Sequence, residues 1–302
     1  MGGKVFVDTT DFCSIDFGDE IIVDGKRYIV TGHEREHRFG LDDPKFWVKR
    51  AIEAESGEKK ILKLSFFETF DTSLAGVKIR CFRNPEKEGN ILKLVKEHPH
   101  FMHGRACLDT KGNNIRILDP VQGTKFFSYL RTLSMPHELY FHKLLPNILR
   151  RMIKAFEAIS FLHHHGFRHG DIRTDHLFIE RETGNYVWID FDYDYETSEN
   201  PFGLDIFGLG NVLLYALGKG FYELYEIKSH PRTYGNLVES LEPGDFSVLD
   251  KFRLLNLRKI FPYLPKCFND ILLHFSFGAD VFYETVDEII EDLNRCISLE
   301  YD

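Results

Sequence analysis

The stretch from His165 to Asp192, HGFRHGDIRTDHLFIERETGNYVWIDFD, constrains this chain more than any other. A helical pattern runs into it from the N-terminal side. The triplet His169-Gly170-Asp171 follows, and then two short apolar runs, Leu177-Phe178-Ile179 and Tyr186-Val187-Trp188-Ile189. The turn-prone Thr183-Gly184-Asn185 separates them, a pattern that predicts a β-hairpin. Asp171 enters the loop before the hairpin and Asp190 leaves its second strand. Two carboxylates can therefore converge on one cleft.

The rest of the chain must supply a core around that segment. With 302 residues, 43% hydrophobic and 14% aromatic, it can bury one large domain or two small ones. The net charge is −9, and no run of Lys or Arg is long enough for a nucleic-acid or anionic-membrane footprint, so no nucleic-acid partner is expected. No apolar stretch has transmembrane length. The segment MGGKVFVDTTDF lacks an apolar signal core, and Phe6 holds the place where a myristoylation pattern needs Ser or Thr. Five scattered cysteines fit a reduced chain with buried thiols, hence a cytoplasmic location.

Taken in order, Ile21-Ile22-Val23 and Tyr28-Ile29-Val30 flank Asp24-Gly25, a hairpin signal. Residues 31–44 are polar and turn-rich. Phe46-Trp47-Val48 and Ile61-Leu62-Lys63-Leu64 read as further strands, so the first part is a small antiparallel sheet. A helix is expected over roughly 85–96, then a strand over 114–118. The clearest helix covers 146–165, where Ile148, Met152, Phe156, Ile159 and Leu162 recur at helical spacing and Gly166 supplies the stop. The run His163-His164-His165 is read as a helix end, because adjacent histidines point different ways. A mostly apolar helix is expected over 205–218, opened by Asp205. Two amphipathic helices are expected over 264–275 and 285–297.

This order, with His169-Gly170-Asp171, four residues, His176, and then Asp190-Phe191-Asp192 after a hairpin, resembles the protein-kinase superfamily. The family form is His-Arg-Asp, four residues, Asn, and Asp-Phe-Gly. Gly170 in the Arg place resembles the aminoglycoside and choline kinases, and His176 in the Asn place resembles the lipopolysaccharide core kinases. The resemblance implies an α+β, bilobal fold. It has an N-lobe over 1–118, with a small antiparallel sheet and one main helix, a hinge over 119–124, and a larger, mainly helical C-lobe over 125–302.

It also implies roles. Asp171 would be the catalytic base and Arg173 would hold the transferring phosphoryl. Lys63 would pair the α- and β-phosphates, held by Glu88 or, one turn less well phased, by Glu86. Leu118 would line the adenine pocket, with the backbones of Asp119 and Val121 bonding the base. Asp190 would bind metal, with His176 in the Asn position and Asp192 as a further oxygen ligand. The cofactors would be ATP and Mg²⁺, with Mn²⁺ open because imidazole is softer than oxygen. His176 could instead bond Asp171 or phosphate, or the second metal could be lost. Gly32 and Gly40 are too far apart for the family's glycine-rich loop. Residues 31–44 are then either a phosphate cover, with Arg35 or Arg38 on phosphate, or a plain hairpin loop. Asp205 would brace the catalytic loop. The segment after Asp192 is short, so control by activation-segment phosphorylation is not expected.

The implied activity is transfer of the γ-phosphoryl of ATP to a hydroxyl, foremost Ser or Thr of a protein. The alternatives are a sugar, lipopolysaccharide or other small-molecule kinase, and a pseudokinase that binds nucleotide or a partner without turnover.

Overall fold

The computed structural model describes residues 3–38, 41–74 and 76–301 of the chain. It is a mixed α+β structure, with an antiparallel sheet in the N-terminal part and helices dominating the C-terminal part. It divides into two compact units, residues 1–69 with 82–122, and residues 70–81 with 123–302.

The first unit holds a seven-stranded sheet. Its strands are β1 (Val5–Phe6), β2 (Glu20–Val23), β3 (Lys26–Arg38), β4 (Leu41–Glu53), β5 (Lys59–Lys63), β8 (Gly104–Leu108) and β9 (Asn114–Leu118). The order is β1-β2-β3-β4-β5-β9-β8, antiparallel throughout except for the β1–β2 pair. Val23 pairs with Lys26 across the Asp24-Gly25 turn expected from sequence. On one face Ile15, Ile21, Val23, Tyr28, Val30, Ala51, Leu62, Leu64, Ile115 and Ile117 form a continuous core.

Residues 31–38 and 41–44 depart from the turn-rich connection expected. They continue β3 and β4 as a long hairpin ladder, paired as far as Arg38 with Leu41 and broken by irregularities after Val30 and His33. Backbone pairing with a neighbour needs no apolar side chain, so a polar composition did not prevent the strand. Gly40, considered for a phosphate loop, lies outside the described residues. The early Asp16-Phe17-Gly18 is a turn, with Asp16 facing His33 at 3.3 Å.

Helix α1 (Pro85–Leu94) packs on this unit. Pro85 occupies its first turn, and the Asn84 side chain accepts from the Lys87 amide at 3.0 Å.

The second unit holds the three-stranded sheet β10 (Gly123–Lys125), β11 (Leu177–Glu180) and β12 (Tyr186–Trp188). β11 and β12 are the antiparallel hairpin expected around Thr183-Gly184-Asn185. A second sheet orders β13 (Tyr193–Glu196), β7 (Val77–Arg83) and β6 (Thr69–Leu74). Pairing with β13 explains why residues 70–81 group with the second unit, although the sequence division assigned them to the first.

The helices are α2 (Phe126–Thr132), α3 (His137–Lys143), α4 (Leu145–His164), α5 (Gly203–Gly218), α6 (Leu224–Ser229), α7 (Pro231–Tyr234), α8 (Lys266–Leu273) and α9 (Val286–Tyr301). α4 buries Ile148, Met152, Phe156, Ile159 and Leu162 on one stripe. α5 is buried nearly all round, which suits its apolar sequence. Among the described residues no helix is long and apolar enough to cross a membrane.

Candidate active site

In the second unit, α4 ends at His164 and Gly166 reverses the chain at φ +75°, with the Phe167 amide donating to the Leu162 carbonyl. The chain then enters the loop that carries Asp171. Asp205, on the first turn of α5 and fully buried, accepts from the backbone amides of His169 (2.6 Å) and Gly170 (2.8 Å). His163 Nε2 lies 3.0 Å from the same carboxylate. Burial opposes the ionised form of Asp205. The His163 bond and charge, the His169 charge and the Gly170 amide outweigh it and hold the group below its ordinary value of 3.8. Gly170 adopts φ +87°, a conformation that favours glycine over the Arg of the family pattern. His169 is fully buried and packs edge-on to Trp188 and Phe191. Trp188 in turn donates its indole N–H to the Ala155 carbonyl of α4 at 2.8 Å. The loop is thus fastened at once to α4, α5 and β12.

Four of the sequence-predicted residues meet here. His176 is 4% exposed, and its Nδ1 donates to the Asp171 carbonyl at 2.8 Å. The same nitrogen lies 3.4 Å from Asp171 Oδ2, and Nε2 lies 3.5 Å from Asp190 Oδ2. Arg173 Nη2 stands 2.6 Å from His176 Nε2, while its Nε lies 3.4 Å from both Asp171 Oδ1 and Asp175 Oδ1. Burial raises the Asp171 pKa. The Arg173 charge opposes that rise, and the charges of Asp190 and Asp192 add to it. Asp190 holds φ +64°, an uncommon backbone state that Asp tolerates better than most side chains and that recurs at functional sites. Asp192 is 1% exposed.

Beyond Asp192, β13 is locked to the loop. Arg168 Nε meets Asp194 Oδ1 at 2.6 Å, and its guanidinium lies over the Tyr195 ring at 4.2 Å. Arg168 also donates to the Pro201 carbonyl at 3.0 Å.

In the first unit, Lys63 Nζ meets Glu88 Oε1 at 2.9 Å, both side chains at most 4% exposed. Sequence reasoning missed Arg116, whose Nε takes the other Glu88 oxygen at 3.0 Å. It was visible as a lone charge inside the apolar run Asn114-Ile115-Arg116-Ile117-Leu118. Glu86, the alternative partner, lines a separate groove of about 740 Å³, walled by Arg83, the start of α1 and the β8–β9 turn. None of the other predicted site residues lines that groove. Leu118 is 3% exposed at the end of β9. The Asp119 amide donates to the His103 carbonyl at 2.9 Å, and its carboxylate pairs with Lys60 at 2.7 Å. Val121 follows just before the unit boundary.

The three adjacent histidines diverge as their helical positions require. His163 goes to Asp205, His164 to Asp287 at 3.5 Å, and His165 to the Phe161 carbonyl at 2.8 Å. Among the described residues no group of three or more His, Cys, Asp or Glu could by itself enclose a metal ion. The site chemistry is the carboxylates of Asp171, Asp175 and Asp190, one imidazole and one guanidinium, with the loop fastened by Asp205.

No protein-family profile matches the sequence, and no curated protein matches it. Among solved structures, the chain is similar to the kinase domain of Mycobacterium tuberculosis PknI. The identity is 13%, covering 91% of this chain and 97% of that chain, with a TM-score of 0.48. A point mutant of the same domain gives 12% identity, coverage of 89% and 94%, and a TM-score of 0.49.

Proposed function

We propose that this chain is an ATP-dependent phosphotransferase that moves the γ-phosphoryl of ATP to a hydroxyl. The observation that carries the reading is the cluster of Asp171, Arg173, His176 and Asp190, bolted to the backbone by Asp205. A carboxylate with a raised pKa, one guanidinium and a second carboxylate within a few ångströms is what transfer of a charged phosphoryl to an alcohol requires. Such transfer depends mainly on positioning and charge neutralisation.

In this reading Asp171 orients the acceptor hydroxyl and takes its proton as the bond to phosphorus forms. Arg173 faces the developing negative charge. Lys63, held by Glu88 and Arg116, takes the α- and β-phosphates. Leu118 and the backbones of Asp119 and Val121 take the adenine. Asp190 is a hard oxygen donor and suits Mg²⁺, which characteristically takes one or two protein carboxylates and completes its shell with phosphate and water. When bound, the metal neutralises charge on the phosphate oxygens. Asp192 stands as a candidate second oxygen ligand.

The acceptor we favour is Ser or Thr of a protein, supported by the two C-terminal helices α8 and α9, which resemble the end of protein-kinase chains. A sugar or other small-molecule hydroxyl is the alternative within the same chemistry. A pseudokinase is the rival from another class, favoured by the imidazole standing where the family has an amide. Turnover of ATP with Mg²⁺ and with Mn²⁺, in wild type, Asp171→Asn and Asp190→Ala, separates them. Turnover in wild type alone supports the enzyme. Nucleotide binding without turnover in any of the three supports the pseudokinase.

A further inference from the structure

His176 sits where a second metal ligand would be expected, and its hydrogen bonds argue against that role. A guanidinium has only donors, so the 2.6 Å approach of Arg173 Nη2 makes His176 Nε2 the acceptor. The Nδ1 atom faces the Asp171 carbonyl at 2.8 Å, so Nδ1 carries the proton. The lone pair on Nε2 is therefore occupied by Arg173. A metal ion at Nε2 would have to evict the guanidinium. It would also have to accept an imidazole where Mg²⁺ prefers oxygen.

The guanidinium stands well where it is. Its Nε is 3.4 Å from Asp171 Oδ1 and 3.4 Å from Asp175 Oδ1, so two carboxylates attract it by charge at Nε while the imidazole accepts from Nη2. His176 itself is fixed by the Asp171 carbonyl and by near-complete burial.

We infer that the Arg173 guanidinium takes the place of the second cation, and that His176 is its anchor and not a metal ligand. The inference rests on the phosphotransfer reading, and it deepens it. The site would work with a single divalent ion, which Asp190 would hold, and a fixed, covalently tethered positive charge at Arg173. His176 is then a positioning residue that acts through Arg173.

Two measurements on the full chain test this. In the ligand-free protein, ¹⁵N spectra of the histidine rings report which nitrogen of His176 carries the proton. The inference requires Nδ1–H, and an Nε2–H ring would overturn it, whatever the fate of the nucleotide reading. With Mn²⁺ and a non-hydrolysable ATP analogue, electron spin-echo modulation detects imidazole nitrogen bound directly to manganese. Wild type is expected to hold a single Mn²⁺ without such nitrogen. Arg173→Ala uncovers Nε2 and is expected to gain a nitrogen-coupled second Mn²⁺. A nitrogen coupling in wild type that disappears in His176→Gln would overturn the inference and leave the phosphotransfer reading standing. Failure of the analogue to bind would defeat that reading and the single-metal proposal together.

Discussion

Lys63 and Arg116 stand directly opposite each other on β5 and β9, two cations facing on neighbouring strands. Such a pair is repulsive unless an anion lies across it. Glu88 supplies that anion, one oxygen to each, with all three side chains at most 4% exposed. Removing one partner of a buried ion pair typically costs about 3–5 kcal/mol. Glu88→Gln removes the anion that the two cations share and is expected to destabilise by about that amount, read from urea denaturation midpoints. Arg116→Met in the Glu88→Gln background should recover part of the loss, because it removes the repulsion. No recovery would mean the three groups are not coupled.

The Arg168–Asp194 pair gives the short segment after Asp192 a built-in anchor. The negative charge on that segment is supplied by the sequence itself, at Asp194. Treatment with a phosphatase is therefore expected to leave phosphotransfer unchanged. Arg168→Ala should lower it and increase protease cutting between residues 193 and 200. Activity that falls on phosphatase treatment would contradict this.

Lys49 is fully buried on β4 and donates to the Phe12 and Ile15 carbonyls at 2.8 and 2.6 Å. Burial is the main cause of a pKa lowered from 10.5 to about 8. Between those two values the unfolded chain holds a proton that the folded chain has released. Stability must then rise with pH across that window. Other groups titrate there too, so the quantity to measure is the difference between wild type and Lys49→Met. That difference should shift in favour of wild type between about pH 8 and pH 10.5, measured by urea midpoints. Parallel curves would contradict the buried charge.

In the proposed transfer, the raised pKa of Asp171 sets the acid limb. A base must be ionised to accept a proton, so activity should fall as pH drops through a midpoint above the ordinary 3.8. Burial is the principal cause of the shift, opposed by the Arg173 charge and assisted by the like charges of Asp190 and Asp192. Asp192→Asn removes one of those like charges and should move the limb towards lower pH. A limb that moves up in Asp192→Asn would contradict the assignment.

The hairpin of β11 and β12, helix α4 and the buried α5 were legible because hydrophobic period and turn chemistry agree along each of them. Lys63 and Glu88 were legible because a lone Lys in an apolar strand and a Glu on the inner helix face need each other. Arg116 was not, because register between β5 and β9 is set by pairing across a long intervening stretch of chain, which no local pattern encodes. The long β3–β4 ladder was missed for a similar reason. Its residues are polar, and only the partner strand makes them extended. The Arg173–His176 bond was hidden too. Spacing brings the two residues near each other but does not say which nitrogen the guanidinium will meet.

The most direct test of the account is single-turnover transfer of labelled γ-phosphoryl from ATP, with nucleotide binding measured in parallel, for wild type and Asp171→Asn. The account predicts transfer by wild type and a fall of about 10²–10⁴-fold in Asp171→Asn, the usual loss for a general base, with nucleotide affinity retained. Undiminished transfer in Asp171→Asn, or no transfer by wild type that has bound nucleotide, would contradict it.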